Sequence, residues 1–366
     1  MMDAVMGWYR EHGAVGDAWQ PTGCVARHFG NPAAETEAGR ARALIVDRSR
    51  CARLQLTGKD RRELVQNLTT NDVLKVPEGK GVATTFTTGK GRIVDRVVLH
   101  AASDGDLLIG NADRASALVE WMEKYIIRED VQQADLTEAT VMLDVVGPRA
   151  AELCHAPLVA FADLHELMIL ELAGVSVLAM KTDAVAGLTV RLVVPATHAI
   201  PLLEFLMGRG GVLGGSDAYN VLRLEAGMPL YGPELNEEHN PLEAGLVDTL
   251  HFSKGCYVGQ EVVARVDTYM KQRRYLVALE VEGAPPAPGA RLSLPNGDEG
   301  EVTSAADTGN GRSRMLGYLK TQDPFVGLDV QLDEEGLPRR TAVVVRRPAQ
   351  APAPKGGEGN QCSVVV

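Results

Sequence analysis

From Leu44 onward the chain switches between runs of alternating polarity and runs of helical period, and the two patterns predict different elements. "ARLQL" (52–56) reads as a half-buried strand and Gly58 interrupts it. "KDRRELVQNL" follows, with Leu64, Val65 and Leu68 on one helical face. "GRIVDRVVLHA" (91–101) and "DLLIG" (106–110) are strands joined by the turn residues "ASDG". "ADRASALVEWMEKYII" then sets Ala115, Leu118, Val119, Met122 and Ile126 at helical spacing. A similar order returns downstream: strand "VMLDVVG" (141–147), helix "PRAAELC" opened by Pro148, and strands near 175–181 and 188–194. The apolar helix "THAIPLLEFLM" follows, with Thr197 in N-cap position. "SDAYNVLRLEAG" (216–227) predicts one more helix, capped by Ser216 and ended by Gly227. Strands and helices mix without strict alternation, which predicts an α+β fold class.

The flanks differ. Residues 1–43 show no clear period and read as a loosely structured N-terminal segment ahead of a mixed region spanning 44–270. After about residue 271, "RRYLVALEVEG", "ARLSL", "GEVTSAAD", "RMLGYLK" and "TAVVVRR" are short strands between Gly, Pro, Asn and Asp, with no convincing helix. They predict a small all-β barrel or sandwich over 271–347. The stretch 348–366, rich in Pro, Ala and Gly, carries too little apolar surface to offset its ordering entropy and reads as a disordered tail.

Composition narrows the partners. The 366 residues are 45% apolar and 23% charged, in the range of an ordinary water-soluble protein. A formal charge of -11 repels phosphate backbones and argues against nucleic acid. No run approaches the length of a spanning helix or a signal peptide, so no membrane association is expected. The five cysteines, Cys24, Cys51, Cys154, Cys256 and Cys362, show neither CxxC nor Cys/His ligand spacing. That pattern predicts a reducing, cytoplasmic setting and no metal site of the chain's own.

Three segments carry more polar detail than packing requires. In "TTGKGRIVDR" (87–96) two glycines bracket Lys90 without phosphate-loop spacing. Asp95 lies there among apolar residues, either as the polar face of a strand or as a carboxylate with raised pKa that moves protons. In "LRLEAG", Arg223 is either a solvated helical charge or a fork for a ligand carboxylate. The acids Glu237, Glu238, Glu243 and Asp248 read as loop surface. In "KGCYVGQE" (254–261), Cys256 is either a small core residue or a reactive thiol. Gly255 and Gly259 allow close approach or positive φ around it, and Lys254 could lower its pKa.

Jointly these segments resemble the folate-binding superfamily that contains the glycine-cleavage aminomethyltransferase (T-protein) and the YgfZ-type iron–sulfur maturation proteins. The likeness runs from about Leu44 to Arg347, through "LTGKDRRELVQNLTTNDV", "GKGRIVDRVVLH", "LLIGNADR", "LDVVGPRA", "LRLEAGMPLYGPELNEEHNPLEAGL" and "KGCYVGQEVVARV". It implies a three-part ring around a central folate cavity: two mixed α/β parts and a C-terminal β-barrel. "KGCYVGQE" matches the YgfZ-type signature at every specified position, whereas T-proteins usually lack the cysteine.

The chain also departs from T-protein. Asp95 is followed by Arg96 rather than a second aspartate, and Arg92 replaces a glycine. Gly187, Leu188 and Thr189 stand where an acidic Gly-Tyr-Thr-Gly-Glu-like segment is expected. The resemblance therefore implies a YgfZ-type tetrahydrofolate-binding protein acting in iron–sulfur cluster assembly or repair, with cluster enzymes or assembly proteins as clients. Its implied roles are Arg223 for the folate tail, Asp95 and Asn111 toward the folate head or cavity wall, and Cys256 as the thiol. Lys254 would tune that thiol, and Tyr257, Gln260 and Glu261 would shape its loop. The enzyme alternative is an aminomethyltransferase in which Asp95 assists at the folate nitrogens. A folate-fold scaffold without ligand is the third possibility.

Overall fold

The computed structural model describes residues 2–16, 20–155, 163–268, 272–321 and 324–346; the tail expected over 348–366 lies outside them. The apolar run Leu44–Asp47 forms strand β1, buried along its whole length. The chain then leaves that sheet to build another. Strands β2 (Cys51–Thr57), β3 (Gly81–Thr87), β4 (Ile93–His100), β5 (Asp106–Ala112) and β6 (Gln132–Asp135) form a five-stranded antiparallel sheet in the order β3-β4-β5-β2-β6. Helices α3 (Arg61–Leu68) and α4 (Ala115–Glu123) cover one face of it, packing Leu64, Leu118 and Met122 against Leu54, Val97 and Leu99.

The chain then returns to β1. Strands β7 (Thr140–Val146), β8 (Leu167–Leu172), β9 (Val175–Thr182), β10 (Thr189–Pro195) and β11 (Val212–Gly214) complete a six-stranded sheet, order β11-β1-β7-β10-β9-β8. Only β1 and β11 pair in parallel there. The five-stranded unit is thus an insertion between two neighbouring strands. Helices α5 (Ala150–Leu153) and α6 (Ala199–Gly208) contribute to the apolar core on one face of the six-stranded sheet.

The N-terminal segment corrects the expectation of loose structure. Helix α1 (Met2–Glu11) buries Val5, Trp8 and Tyr9 in that same core, and Tyr9 donates a 2.7 Å hydrogen bond to Asp47. Helix α2 (Pro32–Ala41), N-capped by Asn31, packs on the opposite face against α7 (Ser216–Ala226). A Cβ at Gly39 would come within 2.4 Å of Leu222, so the close helix contact requires glycine. Gly227 ends α7 in the left-handed conformation, as expected, but Gly215 occupies the N-cap position expected of Ser216. His198 likewise takes the N-cap position of α6 expected of Thr197.

Helix α8 (Gln260–Thr268), which the sequence pattern did not suggest, leads to the C-terminal barrel. Strands β12 (Arg274–Glu282), β13 (Arg291–Ser293), β14 (Glu299–Asp307), β15 (Arg312–Lys320), β16 (Asp329–Asp333) and β17 (Arg340–Arg346) close in the order β12-β15-β14-β13-β16-β17. Val277, Leu279, Val302, Met315, Leu332 and Val344 are among the side chains that fill its interior. On the alternate positions Leu276, Ala278 and Leu316 face outward and pack on Leu224 of α7. No helix among the described residues is long and apolar enough to cross a membrane. No group of three or more His, Cys, Asp or Glu among them is placed to hold a metal ion.

Candidate functional site

A cavity of about 620 Å³ opens where the five-stranded and six-stranded sheets, helix α7 and the barrel meet. Its wall is decided by strand alternation. In β4, Val97 and Leu99 face α3 and α4, and Asp95 shares their side; Arg96 and Val98 face the cavity. Asp95 is fully buried beneath Gly110, behind the cavity wall rather than on its surface, where the resemblance implied a place at the folate head or cavity wall. Asn111 does line it, and its side-chain amide donates to Asp95 Oδ1 and to the Arg96 carbonyl. Burial pushes the Asp95 carboxyl up to about 6 against the opposing pull of Asn111 and Arg114.

Arg96 sits between two acids. Its Nη2 lies 2.8 Å from Asp183, at the end of β9, and 3.3 Å from Asp248. Burial works against an ionised Asp183, but the charges of Arg96, His165 and Arg191 and the Arg96 hydrogen bond together outweigh it and hold the carboxyl below its usual range. Asp248, expected to be plain loop surface, is a cavity residue.

Arg48 and Arg191 also line the cavity. Arg191 clasps Asp144 through both carboxylate oxygens at 2.7 and 2.9 Å, while Arg48 reaches the same carboxylate at 3.4 Å. Arg48 also donates to the Tyr219 hydroxyl and, at 3.3 Å, to the Cys51 sulfur. Its guanidinium lies over the Tyr219 ring.

Arg223 is elsewhere. It is fully buried and does not line the cavity; it pairs with Glu234 at 3.0 Å and donates to Asn220 and the Met228 carbonyl. Glu234 also accepts from Thr303 and Ser304, and Tyr318 donates to its carbonyl, so this pair fastens α7 to the barrel. The helical spacing that suggested a ligand fork turns Arg223 inward, toward the barrel contact.

"KGCYVGQE" forms a loop and the start of α8 outside the cavity, against the five-stranded unit. Lys254 is buried and donates three 2.7 Å bonds to the carbonyls of Gln66, Thr69 and Asn71. It therefore closes the C-terminal end of α3, and burial brings its pKa down to about 8. Those bonds give Lys254 a structural part in the loop beside the tuning of the thiol that the resemblance implies. Tyr257 lies beside the Lys254 ammonium. Gly259 has φ +86° and a Cβ there would strike the Thr88 carbonyl at 2.4 Å; Gly255 has open space and no such constraint. The Val258 amide and carbonyl bond Asn67 and Thr87. Gln260 and Glu261 begin α8, where Glu261 pairs with Arg265 in solvent. Cys256 is exposed, whereas Cys24, Cys51 and Cys154 are buried.

A family model, the GCVT N-terminal domain, matches residues 5–254. The chain belongs to the GCVT family. An aminomethyltransferase of Cutibacterium acnes is 30% identical over 335 residues, covering 86% of this chain and 90% of that one. A chloroplastic protein of Arabidopsis thaliana, At1g60990, named provisionally as a transferase, is 29% identical over 301 residues, 80% of this chain and 68% of its own length. The crystal structure of glycine cleavage system aminomethyltransferase T from Bartonella henselae matches with a TM-score of 0.82 over 94% of this chain and 96% of that chain, at 21% identity. The fold, three parts with a closed six-stranded barrel, is therefore the aminomethyltransferase fold.

The sequence reading missed Arg48, Arg191 and Asp183 as cavity residues; Tyr219, which also lines the cavity, lies in the 216–227 segment that it singled out. One of them, Arg191, had a usable signal. "MLDVV" and "VRLVV" each place one charge inside an apolar strand, and Asp144 and Arg191 are direct cross-strand partners.

Proposed function

We propose that this chain is a YgfZ-type tetrahydrofolate-binding protein acting in assembly or repair of iron–sulfur clusters in other cytoplasmic enzymes. The observation that carries the reading is Cys256: a thiol in a complete "KGCYVGQE" motif, exposed, on a loop fixed from below by Lys254. Exposed Phe252 and Val262 flank it and offer apolar contact to a client enzyme. The thiol is outside the cavity, so its chemistry is with a partner rather than with a molecule inside.

The cavity residues fit tetrahydrofolate. A volume of about 620 Å³ suits a ligand of that size. Apolar Val98, Ile109 and Leu246 offer contact to a ring, and the Asp183 and Asp248 carboxylates can accept the paired N–H donors of a pterin. Bound tetrahydrofolate would supply ring nitrogens able to carry a one-carbon unit. Arg96 would hold the two acids in place, and Asn111 would donate or accept at the wall. Aminomethyl transfer is disfavoured because Arg96, not an acid, faces the cavity from β4 and engages both carboxylates there.

The second reading, an aminomethyltransferase, rests on the name and coverage of the Cutibacterium acnes relative. Complementation decides between them. In cells lacking the protein, the wild type restores cluster-enzyme activity and Cys256→Ser does not, while both bind tetrahydrofolate. Full rescue by the variant sinks the thiol role. Robust ammonia release from an aminomethylated lipoyl carrier and tetrahydrofolate reverses the ranking.

A further inference from the structure

We propose that Arg48, Arg191 and Tyr219 form an anion subsite in the cavity wall that receives a carboxylate. The subsite stands on charge and hydrogen-bond accounting, and only the source of its carboxylate rests on the tetrahydrofolate reading. Two guanidinium groups share the single carboxylate of Asp144, and their side chains are only 7% and 11% exposed. Arg191 uses both Asp144 oxygens well; Arg48 reaches one of them at 3.4 Å, near the limit of a hydrogen bond. The remaining donors of Arg48 are poorly spent. Nη2 points at a thiol sulfur, a weak acceptor, and Nε finds no partner among the described residues. A buried guanidinium short of acceptors and of counter-charge is unfavourable until an anion joins it.

The reverse balance holds at Arg96, whose one guanidinium pairs with both Asp183 and Asp248. The cavity is therefore polarised, donor-seeking at Arg96 and acceptor-seeking at Arg48 and Arg191. A ligand with N–H donors at one end and a carboxylate at the other satisfies both, and a planar fork suits a carboxylate best. Arg223, the arginine expected for such a tail, is occupied by Glu234. Arg346 also borders the cavity but is exposed and donates to the Ala226 carbonyl, so it serves as the contrasting control.

The carboxylate has two sources, the glutamate tail of a folate or a separate small acid, and one set of measurements on the full chain separates them. Wild type, Arg48→Lys, Arg191→Lys and Arg346→Met are melted with acetate, oxalate or chloride at matched ionic strength. They are then titrated with tetrahydrofolate and with tail-less 6-methyltetrahydropterin. The subsite predicts that oxalate or acetate, but not chloride, raises the wild-type melting temperature and that both lysine variants lose the shift. If the tail is the occupant, Arg48→Lys weakens tetrahydrofolate by about tenfold and leaves the pterin unchanged. If a separate acid is the occupant, both folate ligands bind the variant normally while the oxalate shift is still lost. The proposal is overturned by a wild type that responds to carboxylate no more than to chloride, with tetrahydrofolate affinity unchanged in both lysine variants. It is also overturned if Arg346→Met alone removes the tail's contribution and the carboxylate shift. Should a lysine variant fail to fold, the wild-type carboxylate response still decides. A wild type that ignores tetrahydrofolate yet responds to oxalate defeats the folate reading and keeps the subsite.

Discussion

The cavity and the loop of residues 254–261 each rest on buried cations, and they use them in opposite ways. In the cavity, guanidinium groups pair directly with carboxylates beside a space a ligand can enter, two cations sharing the acid of Asp144 and one cation, Arg96, sharing two acids. In the loop, the Lys254 ammonium is satisfied by three backbone carbonyls with nothing left over for a ligand. A cation set against carboxylates makes a surface to be read. A cation set against carbonyls makes a support, and the reactive atom, Cys256, sits outside it. The two regions are joined by a short segment: Asn71 donates to the Asp248 carbonyl, Thr70 to that of Thr249, and His251 to that of Thr70.

The largest effect separates a true support from the cavity. Arg223→Met leaves Glu234 charged and buried, and urea denaturation should show a loss of about 3–5 kcal/mol. A loss below 1 kcal/mol would mean that the α7–barrel junction does not depend on this pair. Next comes Asp95, whose carboxyl is raised to about 6 by burial. A raised folded pKa favours the neutral form, so its contribution is present at low pH and fades as pH climbs through about 6. The difference in stability between Asp95→Asn and wild type should shift in the variant's favour by roughly 2 kcal/mol between pH 4 and 7. The difference is the quantity to read, because His100 and His165, lowered by burial to about 3 and 4, impose the opposite slope on both proteins.

Lys254→Met is expected to cost about 1–3 kcal/mol, since three carbonyls lose their donor. Hydrogen exchange should rise at residues 66–71 and along 254–259 while the cavity strands stay protected. Uniform loss of protection would erase the distinction between support and cavity. The smallest effect is Cys256→Ser, with stability within about 0.5 kcal/mol of wild type. Native alkylation with iodoacetamide, read by peptide mass, should mark Cys256 ahead of Cys24, Cys51 and Cys154. Burial pushes the thiols of Cys24 and Cys154 up to about 12, which keeps them unreactive.

Much of the architecture was legible because the strands alternate cleanly. The helices at 61–68, 115–123 and 216–226 and five of the six barrel strands follow from period alone. Short strands such as Gln132–Asp135 and Val212–Gly214 did not show, because their residues gain a strand's environment only from partners far along the chain. Helices α1 and α2 were missed for a related reason: each is held by the sheet or helix it meets rather than by its own pattern. The site was less legible than the fold. Asp95 and Arg96 are adjacent in sequence, and only knowledge of which face meets the cavity tells that Arg96 is the one exposed to it. Arg223 looked like an outward fork until Glu234, Thr303 and Ser304 enclosed it, contacts that no local pattern contains.

The insertion of the five-stranded unit after β1 also orders assembly. Strands β2 to β6 lie in one continuous stretch, so that sheet can close while later residues are still being synthesised. Strand β1 emerges first but must wait for Thr140–Val146 and then Val212–Gly214 before it has neighbours on both edges. Until then its apolar edge is unprotected, and the nascent chain is most exposed to misassociation in the interval between the first sheet's completion and the arrival of β11.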